Sequence, residues 1–445
     1  MPIRADRLSI HVGILILILL LVGLLAPARL WGQQTIVPLQ LSFTDPGARS
    51  MGFGGAFVAL ADDATAAFAN PAGLVQLIRP EVSVEARSWS YSTPYTVGGR
   101  AEGLPSGSGL DSTVGLKTAT SSYDATGLSF LSFAYPTGKW SFAIYRHEYA
   151  NLEFSGETQG LYAGGTSCCQ TRAWDQRWTS ALNVVSYGFS TAYRISDRFD
   201  IGLGVVYYDA VLEAVVEEFF WDDDTVPAFL APNSYLTERW HLSDRLFIDD
   251  SDWTLSGGFL WRPSESWRIG AVYRQGMEGT IGSERTAGEV VDFGVPPGTI
   301  IFRATGIPIE FPDIFGFGFA YRGPDGRLTL SFQWDRVEYS NIPDSIGIDD
   351  ATIDDADELH LGAEYVFLGS KTIVALRFGT WFEPDHQMYS FDDDPFDRAL
   401  QRRGDDEMHY AVGLGLAMQR FQIDVAVDFA DRVDTVSLSA IYSFR

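Results

Sequence analysis

Cysteine is nearly missing from this sequence: two residues in 445, and those adjacent, at Cys168 and Cys169. Neighbouring cysteines lack the spacing of a metal site and would close a strained ring on oxidation. Set in a Gly/Ser/Thr-rich stretch, they read as a loop tip with a structural role or none. Histidine is scarce too, at six. No Gly-x-Ser-x-Gly elbow, metal-spaced His pair or phosphate-cradling glycine loop occurs. The sequence therefore points to no catalytic residues, no metal site, no cofactor and no enzyme. Positive charge is also short. Lys and Arg number 32 against 58 Asp and Glu, a formal net charge of -26. Nucleic acid, with its repelling phosphates, is excluded as a partner. Long apolar runs are limited to one, at the N-terminus, whereas a helical membrane protein of this size needs several of about 20 residues.

That single run has the form of a signal peptide. Arg4 and Arg7 precede an apolar stretch from Ile14 to Leu25, and Ala26-Pro27-Ala28 offers a small-x-small cleavage site. Residues 1–32 are read as this segment, with a retained anchor as the alternative, and they are left out of the fold. No cysteine follows to accept a lipid.

What the chain does have is aromatic and small. Hydrophobic residues make up 46%, aromatics 14%, and glycine numbers 44, yet the mean hydropathy is +0.00. Strict alternation produces that combination, because each lipid-facing residue is averaged with a polar neighbour facing inward. From Glu81 onward the pattern has period two. The predicted strands are 81–91, 126–136, 139–150, 178–194, 198–216, 252–262, 266–278, 312–322, 327–339, 357–367, 371–383, 407–418, 420–430 and 435–444. In 312–322, Phe315, Phe317, Phe319 and Tyr321 share one face, and Gly316, Gly318 and Ala320 the other. These make about fourteen strands, most of the length a tilted strand needs to cross a bilayer. The stretch 279–311 is ambiguous: it reads as an added hairpin arm, or as strands raising the count to sixteen.

The connections alternate as well. Short turns at 136–138, 196–197, 263–265, 323–326, 369–370 and 419–420 interleave with long acidic loops. Those loops are expected to hold Asp222–Asp224, Asp249–Asp252, Asp349–Glu358, Asp392–Asp397 and Asp405–Glu407. They read as a solvated surface, with divalent-cation binding as the sharper alternative. Tight turns on one side and long loops on the other describe an outer-membrane barrel with an even strand count. Closure also removes the exposed edges that long aromatic strands would otherwise present. The expected fold is all-β, a transmembrane antiparallel barrel over residues 81–445.

Residues 33–80 do not alternate. Small residues dominate from Gly47-Ala48-Arg49-Ser50-Met51-Gly52-Phe53-Gly54-Gly55-Ala56 through Ala61-Asp62-Asp63-Ala64 to Asn70-Pro71-Ala72. Small side chains let backbone pack closely in a confined space, so this segment is predicted to plug the lumen. Asp62-Asp63 is expected to cap a short helix that Asn70-Pro71 stops.

These three blocks, in this order ahead of the first strand, resemble the FadL/TodX family of outer-membrane hydrophobic-compound transporters. Pro312-Asp313, Trp334 to Ser340, Arg377-Phe378-Gly379 and Glu383-Pro384-Asp385 are similar too. The resemblance implies a monomeric fourteen-strand barrel whose N-terminal hatch closes the lumen. It also implies uptake of long-chain fatty acids or aromatic hydrocarbons across the bacterial outer membrane. Two features depart from the pattern. The chain ends on Arg445 beyond Phe444, the aromatic expected to be read by the barrel-assembly machinery. The acidic loops fit poorly with attracting a fatty carboxylate.

Transport of an apolar solute needs a capture site and a path. Phe219, Phe220, Trp221, Phe229 and Leu230, with Phe293 and Phe302, are candidates for loop capture; otherwise they are girdle or loop-packing residues. In the hatch, Phe43, Phe53, Phe57 and Phe68 line the path or pack the plug, with Asn70 and Pro71 holding its end. Alternation points Arg268, Arg274, Gln333, Asp335, His360, Glu364, Arg377, Asp424 and Asp428 inward. Glu364 is expected diagonal to Arg377, as an ion pair anchoring the plug; alternatively Arg377 or Arg274 orients an anionic head group. Partners are hydrophobic small molecules and outer-membrane lipid or lipopolysaccharide. The alternative function is a structural or shuttle barrel of a secretion or surface-attachment system. For a rim hydrolase, His147 and His241 are the residues to check.

Overall fold

A computed structural model describes residues 45–104, 115–164, 170–219, 240–288, 295–347, 350–369, 371–391 and 393–444. Alternating sequence has become a closed antiparallel wall of fourteen strands. In chain order they are β1 (Glu81–Glu102), β2 (Gly115–Thr137), β3 (Trp140–Thr158), β4 (Asp175–Ser196), β5 (Phe199–Phe219), β6 (Trp240–Trp261) and β7 (Trp267–Arg274). The second half comprises β8 (Ile314–Arg322), β9 (Leu328–Val337), β10 (Ala356–Leu368), β11 (Thr372–Glu383), β12 (Glu407–Met418), β13 (Phe421–Phe429) and β14 (Val433–Ser443). Each strand pairs with the next, and β14 returns to β1 from Glu81–Ser443 to Tyr91–Val433. The return of β14 to β1 closes the sheet and removes its two terminal edges.

The period-two pattern sorts the two faces. Leu203, Leu255, Phe315, Leu361, Phe378 and Leu414 point outward and are exposed, as a lipid-facing band requires. Trp140, Trp261, Trp267 and Phe421 flank the short turns, where an aromatic girdle belongs. Their partners in alternation, such as Ser190, Thr254, Gln333 and Asp424, are buried on the inner side.

Several elements differ from the sequence expectation. Six strands run to about 20 residues, far past a membrane crossing. Asp249–Asp252 therefore lies within β6, not in a loop, and Phe219 closes β5. Strand extensions above a bilayer are wetted on both faces, so polar sequence there looks like loop. The ambiguous stretch is an added hairpin, Glu278–Ala287 paired with Ile300–Glu310, which prolongs β7 and β8 without adding to the count. The acidic clusters at 222–224 and the cysteines lie outside the described residues.

Two irregularities shape the wall. The β2–β3 ladder runs only from Thr137–Trp140 to Phe130–His147. Beyond it β2 continues against β1 as far as Gly115, while β3 continues against β4 as far as Thr158. A bulge between Glu148 and Ala150 bends β3 away at that point. The result is a slot in the wall, bounded at its far end where Leu161–Gly164 pairs in parallel with β1.

Inside the wall packs the N-terminal segment: α1 (Ala48–Gly52), α2 (Ala66–Ala69) and a 3-10 turn, Pro71–Gln76. Asp63, rather than Asp62, holds the start of α2, accepting from the Thr65 backbone N–H at 2.9 Å. α2 ends at Ala69 with Asn70 as its C-cap, where the sequence places the stop, and Pro71 then opens the 3-10 turn, which Asn70 caps through the Ala72 N–H.

Candidate functional site

Glycine explains how this segment fits. A Cβ on Gly379 would sit 2.0 Å from the Gly54 nitrogen, and one on Gly362 would sit 2.4 Å from the Phe53 oxygen. Gly202 receives Pro71 and Ala72 in the same way, and Gly270 receives Val58 and Ala59. Backbone lies on backbone, so the alternation's inward glycines form the seat for the small-residue segment. Gly54 and Gly55 have φ of 63° and 76°, a left-handed turn that side chains disfavour.

Polar contacts fix the register. Asn70 is fully buried and donates to the carbonyls of Val58 (3.0 Å) and Phe259 (3.1 Å). Gln333 accepts from the N–H groups of Phe57 (2.9 Å) and Val58 (2.8 Å). Glu85 accepts from the Gly47 N–H at 2.9 Å and pairs with Arg87 at 2.8 Å. Arg274 pairs with Asp45 at 2.9 Å.

Toward the short-turn end, Arg377 pairs with Glu364 (2.8 Å) and Asp424 (2.6 Å). Glu364 stands directly opposite Arg377, not diagonal, because the ladder begins at Leu368–Ile373 rather than at a two-residue turn. Arg49 joins the group through Asp62, Asp63 and Glu364, and Asp62 also faces Arg268 (3.7 Å) and Arg322 (3.6 Å). This network lines a cavity of about 320 Å³.

The apolar part of the lumen lies on the other side. Phe68 meets Tyr145, His147 and Tyr149 with ring centroids 5.9, 4.5 and 6.0 Å away. Phe130 stacks on Tyr145, and Tyr149 packs edge-on to Tyr208. The Arg274 guanidinium covers Phe68 at 5.0 Å. His147 is buried in this aromatic group with its Nδ1 unpartnered, an environment unlike that of a general base beside a nucleophile. The cluster abuts the slot, since Phe130 and His147 form the last β2–β3 rung. Arg146 closes the slot from the side, donating to the Leu128 carbonyl and pairing with Glu148 at 3.3 Å. Outside, a groove of about 750 Å³ runs past Leu131, Phe133, Ile144, Phe189 and Trp253, and Tyr145 reaches it from within.

Of the sequence-derived candidates, Phe53 and Phe57 are fully buried in the segment's packing, and Phe68 alone among the described ones joins the aromatic cluster. Phe43, Phe220, Trp221, Phe229, Leu230 and Phe293 lie outside the described residues. Phe219 is buried beneath Arg177 at 5.1 Å in β5, and Phe302 is exposed on the added hairpin. Arg274, Glu364 and Arg377 face inward and are all paired. Sequence reasoning missed Phe130, Tyr145, Tyr149 and Tyr208. The signal was present: Tyr145 and His147 follow Ser141 and Ala143 on the inward face of β3.

Residues 41–365 match the family described as outer membrane protein transport protein (OMPP1/FadL/TodX). Among solved structures, the chain is similar to a Pseudomonas aeruginosa FadL homologue, with a TM-score of 0.62 and 14% identity, covering 92% of this chain and 100% of that one. It is also similar to the P. putida toluene transporter TodX, with TM-score 0.56, 13% identity and coverage of 91% and 100%. The Ralstonia pickettii toluene transporter TbuX gives TM-score 0.52, 16% identity, and 91% and 100%. No curated protein matches by sequence.

Proposed function

The chain belongs to the OMPP1/FadL/TodX family of outer-membrane transport proteins, and on that premise we propose that it admits neutral hydrophobic small molecules and releases them sideways through its wall. The carrying observation is the continuity of the aromatic cluster around Phe68 with the slot above the Phe130–His147 rung. A ligand bound among those rings reaches the outer groove without crossing the polar network around Arg377. It then enters the apolar leaflet instead of water, which is the favourable direction for such a solute.

The N-terminal segment acts as a hatch, seated by glycine contacts and held by Asn70. The arginines of the wall nearest the cluster are each paired. Arg274 is neutralised by Asp45, Arg87 by Glu85 and Arg146 by Glu148. An anionic head group would have to break one of these pairs. Toluene-like hydrocarbons, the cargo named for two of the similar structures, therefore suit the site better than long-chain fatty acids. The barrel works as a monomer surrounded by lipid and lipopolysaccharide, with Phe444 engaging the assembly machinery.

The test is uptake of radiolabelled toluene and oleate by cells lacking their own transporters. Saturable toluene uptake dependent on this protein, with little oleate uptake, is expected. Oleate transport at an equal or higher rate would overturn the neutral-substrate reading, and uptake of neither, with the barrel folded, would overturn transport.

A further inference from the structure

Toward the long-loop end of the lumen, beyond the hatch, three side chains converge that the transport path does not use. Asp335 of β9 stands directly opposite Glu358 of β10, and His360 is two residues further along β10 on the same face. One donor atom from each lies within 4.8 Å of the other two. The His360 Nε2 is 3.3 Å from a Glu358 oxygen and 3.5 Å from an Asp335 oxygen. Carboxylates directly opposed on neighbouring strands repel, and these sit in a lumen where Asp335 and His360 are more than nine-tenths buried.

The orientation of the imidazole sharpens the point. Its Nδ1 is 2.8 Å from the Gly54 carbonyl oxygen. A carbonyl only accepts, so Nδ1 carries a proton. With Nδ1 protonated, it is Nε2 that faces the two carboxylates, and loss of its proton to a metal ion would leave a lone pair aimed between them. Asp335 is held by the Gln333 amide at 2.7 Å, and the Gln333 oxygen is committed to two hatch N–H groups. A ring whose other nitrogen donates to a backbone carbonyl, and a carboxylate fixed by an amide, are the outer supports that metal ligands receive. Tetrahedral ligands about 2.0–2.1 Å from a zinc ion lie about 3.3 Å apart, and the two donor separations at His360 have that size.

We propose that Asp335, Glu358 and His360 bind a divalent first-row transition ion, with zinc as the type case. One imidazole and two carboxylates favour zinc and its neighbours over calcium or magnesium, which prefer oxygen alone. The fourth position opens on a cavity of about 40 Å³ also lined by Asp45, Glu383 and Asp428, room for a water ligand. Because Gly54 and the Phe57–Val58 amides orient two of the three ligands, the site is complete only with the hatch seated. The ion therefore stabilises the closed hatch by mass action.

The test uses tag-free, full-length protein in detergent, stripped with chelator and titrated with Zn²⁺ by calorimetry, with Ca²⁺ as comparison. One equivalent of Zn²⁺ is expected, with binding weakened at least tenfold in His360→Gln and in Asp335→Asn. Each variant is first checked for the folded, heat-modifiable band. If a variant does not fold, Co²⁺ added to the unaltered protein gives the answer. Intense visible bands of a four-coordinate ion, displaced by Zn²⁺, support the site. A spectrum equal to that of Co²⁺ in buffer, absent Zn²⁺ binding, or equal Zn²⁺ binding by the folded triple variant D335N/E358Q/H360Q would overturn it.

Discussion

Phe130 pairs with His147 in the last rung that joins β2 to β3, and past that rung the two strands part company. The bulge at Tyr149 is the cause: it adds a residue to β3 that β4 does not match, so β3 follows β4 and leaves β2 behind. A hydrogen-bonded wall is impermeable to a solute of any size; an unpaired stretch filled by side chains is not.

Gly127 lies on the β2 edge of this slot, and the nearest group a Cβ there would meet is the Glu148 carboxylate, at 3.2 Å. Gly127→Leu is expected to fill the slot with apolar side chain while leaving the β1–β2 ladder intact. Toluene uptake should fall at least fivefold, with the folded, heat-modifiable band unchanged. Undiminished uptake by this variant would remove the slot from the path.

Asn70→Ala removes three hydrogen bonds at once, to Val58, Phe259 and Ala72. The side chain is wholly buried, so two carbonyls and one N–H lose their partner together. Unsatisfied buried groups cost about 1–3 kcal/mol each. The wall does not depend on these bonds, so the barrel should still form while the hatch loosens. Faster proteolysis within residues 45–80, and larger single-channel conductance in planar bilayers, are the expected readouts.

The barrel was legible in the sequence because lipid and lumen impose opposite chemistries on alternate residues, as at Phe315, Phe317 and Phe319 against Gly316 and Gly318. Strand lengths were not, because extensions such as Asp249–Asp252 meet water on both faces and lose the alternation. Period alone sets the arginines and carboxylates on one face, but it sets Glu364–Arg377 one step off because a turn's length cannot be read from Gly369-Ser370. The slot left no trace, since a bulge at Tyr149 costs one residue in a pattern that tolerates it. The Asp335–Glu358–His360 group was hidden for another reason: its donors come from two strands with a long connection between them, so no spacing motif exists. The small-residue block at 47–56 was informative because close backbone contact admits few alternatives to glycine and alanine.

Gly379→Ala tests that contact. The added Cβ would meet the Gly54 nitrogen at 2.0 Å, and backbone on both sides leaves nothing to swing away. The hatch turn must lift, carrying the Gly54 carbonyl off His360. Gly257→Ala is the matched control, since its Cβ meets a flexible Leu203 methyl at 3.3 Å. Thermal melts in detergent should show a loss of at least 2 kcal/mol, about the cost of overpacking, for the first and little change for the second.

Asp62 provides a pH handle on the same hatch. Burial alone would raise its pKa, but Arg49, with Arg268 and Arg322, outweighs burial and draws it down to about 2. Once the hatch is released, the carboxyl returns to about 3.9. A folded-state pKa below the released value means that the charged carboxylate stabilises the seated hatch fully above pH about 4, and that this contribution fades as pH falls through about 2. Asp62→Asn removes it and leaves Arg49 with Asp63 and the more distant Glu364. The variant's hatch should therefore be more protease-sensitive than the parent's at pH 7, and the two should converge near pH 2, where pepsin serves as the probe. Acid sensitivity common to every carboxylate in the chain affects both proteins alike, so the difference between them isolates Asp62. A difference that persists undiminished at pH 2 would mean that Asp62 holds the hatch by shape rather than by charge.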